Sequence, residues 1–307
     1  MAPLSELLHK YNLRPRKGLG QNFLTDPHHL AQIVAAAELS AADTVLEVGP
    51  GPGTLTRLLA EQAGRVIAVE LDPAMVHLLQ SEYGHYPNLT ILHADILTTP
   101  ITPQLLAPPT SHPTDQPASH QPTSPLANRP TNPPATYKVV ANLPYYITSA
   151  VVRHLLESDP QPERLVITVQ KEVAQRIVAE PGDMSLLAVS VQFYGRPKLV
   201  HSIPAGAFYP SPKVDSAVVR IDTYAQPPAA SVTDIEFFFQ VVKAGFSQKR
   251  KQLKNTLAAG LRRPTEAVIQ ALEQAGIDPA RRAQTLSVEE WGKLTEVLQK
   301  PLIRPHS

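Results

Sequence analysis

Val45-Leu-Glu-Val-Gly49-Pro-Gly51-Pro-Gly53-Thr-Leu-Thr-Arg57 carries an apolar run into three alternate glycines and then into a segment of helical spacing. A short run of Val and Leu, apolar on both faces, reads as a buried strand. Alternate glycines permit a tight turn and let the backbone approach a ligand closely. Twenty-one residues after Gly49, Glu70 closes the next apolar run. An acid at that place can accept hydrogen bonds from ribose hydroxyls, and open α/β sheets bind ligands at the carboxyl ends of their strands.

The same alternation extends outward. Thr44–Val48, Val66–Glu70, Leu89–His93, Lys138–Ala141 and Leu165–Val169 are short runs rich in Val, Ile and Leu. Helix-like segments lie between them, and Asp26-Pro27 and Asp72-Pro73 each supply an N-cap followed by Pro at the first helical position. Strand and helix taking turns predict an α/β fold with a parallel sheet and right-handed crossovers. Leu199–Ile203 and Ala217–Ile221 could extend that sheet. Residues 18–222 are therefore expected to form one α/β domain, and 1–17 a basic amino-terminal arm. Residues 223–233 (TYAQPPAASVT) read as a linker. Beyond it, Ile235–Ala244, Lys251–Leu261 and Thr265–Ala275 have helical periods, and Ser287 with Glu290 forms a capping box ahead of Trp291. Residues 234–303 are expected to be a small all-helical domain.

Proline is 32 of 307 residues, and the excess is local: 11 fall within residues 100–136, where only Asp115 and Arg129 are charged. That composition cannot bury enough apolar surface to offset the entropy of ordering, which predicts a disordered surface insertion. No cysteine is present, so disulfides, thiolate metal sites and a Cys nucleophile are excluded. No apolar run resembles a signal peptide or a membrane span, and the cytoplasm is the expected compartment. Net charge is only +1. Residues 243–263 nevertheless hold seven Lys/Arg and no acid, and residues 10–25 hold Lys10, Arg14, Arg16 and Lys17 without an acid. A neutral average conceals two basic segments.

A dinucleotide fingerprint is G-x-G-x-x-G, whereas the spacing here is G-x-G-x-G with Glu47 two residues ahead. This form resembles the S-adenosylmethionine loop of Rossmann-like methyltransferases. Asp95, closing the third strand, stands where a carboxylate could accept from an adenine amino group. Asn142-Leu143-Pro144-Tyr145 closes the fourth and resembles the motif of enzymes that methylate exocyclic amines of nucleobases. Such an amine is a poor nucleophile while its lone pair is conjugated to the ring. Acceptance of its two N–H bonds by the Asn142 side-chain oxygen and the Pro144 carbonyl would turn that lone pair outward. Proline has no N–H, so its carbonyl is expected to face the site uncluttered, and Tyr145 offers a stacking surface. The 11 histidines are scattered without ligand spacing, and no metal is expected. No G-x-S-x-G and no Walker loop is present.

Together with Lys17-Gly-Leu-Gly-Gln-Asn22-Phe-Leu24, Ala207-Phe208-Tyr-Pro210-Ser-Pro-Lys-Val-Asp-Ser216 and Phe246-Ser-Gln-Lys-Arg-Lys-Gln-Leu253, these motifs make the chain similar to the rRNA adenine dimethyltransferases. The resemblance runs from about Arg14 to Gln299, and the tail around Arg282–Leu294 resembles the bacterial branch acting on small-subunit rRNA. It implies cofactor contacts at Asn22, Leu24, Gly49, Gly51, Glu70, Asp95 and Asn142. It also implies transfer of two methyls to N6 of each of two adjacent adenines, with Phe208 facing Tyr145 across the base. Tyr146 departs from the family, which often carries Asn there. The implied partner is small-subunit rRNA, within the subunit or an assembly intermediate; no membrane partner is expected, and the protein is expected to be a monomer. Lys249, Arg250, Lys251 and Lys254 are expected to meet RNA phosphates, with Arg14, Arg16 and Lys17 on an arm that orders upon binding. The rivals are a DNA adenine methyltransferase, which would stop at one methyl, a NAD-dependent dehydrogenase, disfavoured by the glycine spacing, and an RNA-binding assembly factor without catalysis.

Overall fold

A computed structural model describes residues 4–107, 136–226, 229 and 232–299. It begins with α1 (Leu4–Lys10), the short β1 (Phe23–Leu24) and α2 (Pro27–Ala37). An alternating stretch follows: β2 (Thr44–Val48), α3 (Thr54–Gln62), β3 (Arg65–Glu70), α4 (Pro73–Tyr83), β4 (Leu89–His93), α5 (Pro103–Leu106), β5 (Lys138–Asn142), α6 (Thr148–Leu156) and β6 (Arg164–Gln170). Then come α7 (Lys171–Ile177), α8 (Leu186–Tyr194), β7 (Gly195–Ile203), β8 (Phe208–Tyr209) and β9 (Ser216–Thr223). The chain closes with α9 (Ile235–Phe246), α10 (Leu253–Leu261), α11 (Thr265–Gln274) and α12 (Val288–Gln299).

Seven strands form one sheet in the order β4-β3-β2-β5-β6-β9-β7. The pairings among β2 to β6 are parallel. Both runs expected to extend the sheet do so, but antiparallel: β9 pairs β6, and β7 pairs β9 with a bulge between Leu199 and His201. From β2 the chain steps outward to β3 and β4, then returns to pair β5 against the free side of β2. Two crossovers of opposite direction leave a crevice between the carboxyl ends of β2 and β5, the switch point where such sheets bind ligands.

Side-chain alternation fixes which layer each residue enters. Leu46, Val48, Val139, Ala141, Leu165 and Ile167 face one apolar cluster, while Val45, Val140 and Val166 face another with Ile33, Val34, Leu55 and Leu59 of α2 and α3. The expected caps form. Asp26 accepts from the His28 and His29 N–H groups, and Asp72 accepts from the Ala74 N–H.

The structure departs from the sequence reading in three places. The described part of the expected 1–17 arm, from Leu4 on, is not free: Leu4, Leu7 and Leu8 of α1 are buried against Met75, Leu78, Leu79 and Tyr83. Their i, i+3, i+4 spacing is a helical stripe that the basic residues nearby obscure. The first part of the proline-rich segment is folded, since Ile101 and Leu106 are buried and the Arg65 guanidinium donates to the Leu105 and Leu106 carbonyls. Residues 108–135 of that expected insertion lie outside the described residues. Finally, the carboxyl-terminal helices share one continuous core with the sheet. Phe238 and Phe239 of α9 pack on Phe193 of α8, ring centroids 4.5 and 5.4 Å apart.

Candidate active site

Register brings the site residues to one level. Val48 pairs with Val69, Glu70 with His93, Glu47 with Val140, and Asn142 with Thr168. Gly49, Glu70 and Asn142 therefore end three neighbouring strands together. Gly49, Gly51 and Gly53 have φ of 65°, 56° and 83°, the left-handed region that other residues avoid. At Gly51 a Cβ would also come within 2.8 Å of the Phe23 ring, and at Gly53 within 2.3 Å of Tyr83. The first closeness shapes a ligand wall; the second packs α3 against α4.

Over these strand ends lies a cavity that is open to solvent. Its walls are residues 19–23 of the amino-terminal loop, Gly49 and Gly51, Glu70 and Leu71, Asp95 and Ile96, and Asn142 to Ile147. Glu70 is buried, and both its carboxylate oxygens hold backbone: Oε2 accepts from the Gly51 N–H at 2.9 Å and Oε1 from the Asp72 N–H at 2.8 Å. Burial pushes the Glu70 pKa up, and these N–H groups pull it back. Asp95 accepts from the Leu97 N–H through Oδ1. The Asn142 amide donates from Nδ2 to the Asn22 carbonyl at 3.1 Å. Only the NH₂ end can donate to a carbonyl, so this bond assigns the amide orientation and leaves Oδ1 as an acceptor. The Tyr145 and Ser216 hydroxyls hydrogen-bond at 2.7 Å, which fixes the Tyr145 ring on the cavity wall.

The sequence profile of the ribosomal RNA adenine dimethylase family matches residues 12–300. The chain belongs to that family. The dimethylase is 47% identical over 294 residues to ribosomal RNA small subunit methyltransferase A of Dehalococcoides mccartyi strain CBDB1, covering 96% of this chain and 92% of the relative. The protein of the same name from Clostridium botulinum strain Langeland is 38% identical over 295 residues, 95% of this chain and 97% of its own. Among solved structures, the 23S rRNA methyltransferase ErmE matches with a TM-score of 0.65 and 29% identity, over 91% of this chain and 100% of that one. A dimethyladenosine transferase of Plasmodium falciparum, 23% identical, shares the fold with a TM-score of 0.67 over 89% and 95% of the two chains. The dimethylase is thus an S-adenosylmethionine-dependent rRNA adenine dimethyltransferase on a Rossmann-like sheet.

Of the residues singled out in the sequence of the dimethylase, Asn22, Gly49, Gly51, Glu70, Asp95, Asn142, Pro144 and Tyr145 converge on the cavity. Two do not. Leu24 is buried, with its carbonyl taken by the Thr54 hydroxyl at 3.0 Å. Phe208 is only 4% exposed and sits in the apolar layer with Leu24, Ile203 and Val218, its backbone paired with β1. The Pro144 carbonyl is not uncluttered either. It accepts from the Ile147 N–H at 3.2 Å and the Thr148 hydroxyl at 3.3 Å, because it opens the turn that leads into α6. The Leu143 carbonyl accepts from no donor among the described residues, and Leu143 lines the cavity. Sequence reasoning also missed Phe23, Leu71 and Ile96. Their one signal was position: Leu71 follows Glu70, and Ile96 follows Asp95.

Lys249, Arg250 and Lys251 lie exposed in the turn between α9 and α10, with Lys254 half-buried in the first turn of α10. None of the four pairs with a carboxylate among the described residues. Arg14 is exposed. Arg16 is not free of the fold, since its guanidinium lies 3.3 Å from Asp72 Oδ1, and Gln21 donates to Asp72 Oδ2. The side chain of Lys17 lies outside the described residues. No described helix is long and apolar enough to cross a membrane.

Proposed function

We propose that the dimethylase transfers methyl groups from S-adenosylmethionine to N6 of two adjacent adenines near the 3′ end of small-subunit rRNA, in the subunit or an assembly intermediate. The products are N6,N6-dimethyladenosines. The observation that carries this reading is a pair of acceptors at the end of β5: Asn142 Oδ1, oriented by the Asn22 carbonyl, and the Leu143 carbonyl without an intramolecular donor. An exocyclic amine offers two N–H bonds. Accepting both directs its lone pair out of the ring plane, toward an incoming methyl. Tyr145, held by Ser216, supports the base by stacking.

The cavity suits the methyl donor. Each Glu70 oxygen holds one N–H and keeps a lone pair for a ribose hydroxyl. Leu71, 47% exposed, and the buried Ile96 offer apolar surface to a purine beside the Asp95 carboxylate. The Gly51 backbone approaches where no side chain fits. When bound, that donor supplies a methyl on a positively charged sulfur and leaves as a neutral thioether. The positive charge passes from sulfur to N6 and leaves as one N6 proton per methyl, released to solvent from the open cavity, so the chain has to align two reactants rather than generate a charge. The exposed Lys249, Arg250 and Lys251 supply salt-sensitive affinity for phosphates.

The test is incubation of purified protein with methyl-labelled S-adenosylmethionine and unmodified small subunits, followed by nucleoside mass spectrometry. N6,N6-dimethyladenosine is expected from the wild type. Asn142→Ala is expected to lower the rate by roughly 10²-fold or more, the scale seen when a preorganised hydrogen bond at a reacting centre is removed. Monomethyladenosine alone would overturn the dimethylation. Unimpaired turnover in Asn142→Ala would overturn the assignment of the acceptor pair.

A further inference from the structure

Of the large apolar side chains exposed among the described residues, Tyr146 is the most open, at 60%. It lies in the turn between β5 and α6, immediately after Tyr145, and both line the cavity. The two rings are held differently. Tyr145 is half-buried, its hydroxyl bonded to Ser216. The Tyr146 hydroxyl has no hydrogen bond among the described residues, and its ring lies beside Gly20 of the amino-terminal loop, which also lines the cavity. A Cβ at Gly20 would lie 3.1 Å from Tyr146 Cδ1 and 3.2 Å from Cε1, and Gly20 has φ +61°. A side chain at position 20 would displace the ring. The close approach of Gly20 seats the ring at the rim while most of its surface stays in water.

An aromatic ring left in water at the mouth of a catalytic cavity is unfavourable until something covers it. The ribose and purine contacts proposed for the methyl donor lie at Glu70, Leu71, Asp95 and Ile96, at and just beyond the ends of β3 and β4, whereas Tyr146 follows the acceptor pair at the end of β5. What passes the mouth at β5 is the RNA strand delivering its base to Asn142 and Leu143. A base turned out of its stack loses its neighbours, and the bases beside it lose a stacking partner too. An aromatic side chain can replace that partner without regard to sequence, because every base has a π-face.

We infer that Tyr146 is a stacking platform at the cavity mouth for the nucleobase next to the adenine being methylated. The inference rests on the proposed RNA substrate. Tyr145 would support the reacting base and Tyr146 its neighbour, so that the strand is gripped at two successive bases. Tyr146 acts in substrate binding rather than at the reacting atoms, so its loss belongs in KM.

The test measures initial rates on unmodified small subunits for wild type, Tyr146→Ala and Tyr146→Phe, together with the affinity of each for S-adenosylmethionine alone. Tyr146→Ala is expected to raise KM for the particle by about tenfold, equivalent to one stacking interaction, with kcat and donor affinity within about twofold of wild type. Tyr146→Phe keeps the ring and should behave as wild type. An unchanged KM in Tyr146→Ala overturns the inference. So does a weakened donor affinity with KM unaltered, which would make Tyr146 a cover for the donor. Failure of Tyr146→Phe to rescue would assign the effect to the hydroxyl and overturn the stacking role. Tyr146→Trp gives an independent reading, because the single native Trp291 is fully buried. Fluorescence from the new indole should be quenched on adding subunits, and no quenching would count against stacking. If the wild type itself makes no dimethyladenosine, the proposed function fails and not this assignment alone.

Discussion

Glu47 lies on the face of β2 that packs toward α2 and α3, so the strand aims its carboxyl group into an apolar layer. It is 1% exposed, and Oε2 has no partner among the described residues. Burial pushes its pKa up to about 8, with the Glu70 carboxylate adding to the rise and the Thr56 hydroxyl opposing it. The sign of the consequence is fixed. Below the ordinary carboxylate range both folded and unfolded chains hold the proton. Above it the unfolded chain releases the proton while the folded chain keeps it up to about pH 8. Stability therefore falls as pH rises through that window, by on the order of 1.4 kcal/mol per pH unit at most. Denaturant melts of wild type and Glu47→Gln from pH 5 to 8 should show this slope flattened in the variant, which becomes the more stable protein at pH 8. Equal slopes would mean that Glu47 is ionised in the fold. Glu70 behaves differently because backbone N–H groups hold it. Glu70→Ala should weaken S-adenosylmethionine by roughly tenfold to a hundredfold in a direct binding measurement, because it removes the ribose bonds proposed for this carboxylate. The positions of Glu70 and Asn142 were legible in the sequence because each closes a strand, and that of Asp95 because it stands two residues beyond the end of one. The proposal of Leu143 as the second acceptor was not, since only the hydrogen bonds of the turn reveal that Pro144 is already occupied.

The elements with strong local signals formed where the sequence placed them. The Ser287 capping box is one: the Ser287 N–H donates to Glu290 at 2.8 Å, and the Glu290 N–H to the Ser287 hydroxyl at 3.2 Å. Ser287→Ala is expected to lower stability by about 1 kcal/mol, read from denaturant midpoints, without altering S-adenosylmethionine affinity. A change in donor affinity instead would mean that this helix end is coupled to the cavity. Helix α1 is the opposite case. Seven residues are too few to be helical alone, so its existence depends on α4 offering a surface for Leu4, Leu7 and Leu8. The antiparallel edge was equally hidden. Alternation marks β7 and β9 as strands, but their direction follows from the short connection between them.

At the scale of the molecule, basic charge gathers in the α9–α10 turn while the cavity proposed for the chemistry lies over the ends of β2, β3 and β5. Particle binding should weaken with salt, log affinity falling linearly in log salt concentration. Replacing Lys249, Arg250 and Lys251 by Glu should reduce that slope by about one for each phosphate no longer neutralised and leave S-adenosylmethionine affinity unchanged. Filter binding at several salt concentrations would measure it, and an unaltered slope would remove this turn from the RNA interface. The sequence by itself determined the strands, their caps, the glycine loop and the family. Those features depend on neighbours a few residues apart, and short-range sterics and hydrogen bonding dictate them. Tertiary structure alone decided what depends on distant partners: that Leu4, Leu7 and Leu8 pack on α4, that Phe208 lies in the core, and that the helices of the last third share the core of the sheet. Such outcomes follow from which buried surfaces and hydrogen-bond donors meet once the chain has closed, and no local pattern records that.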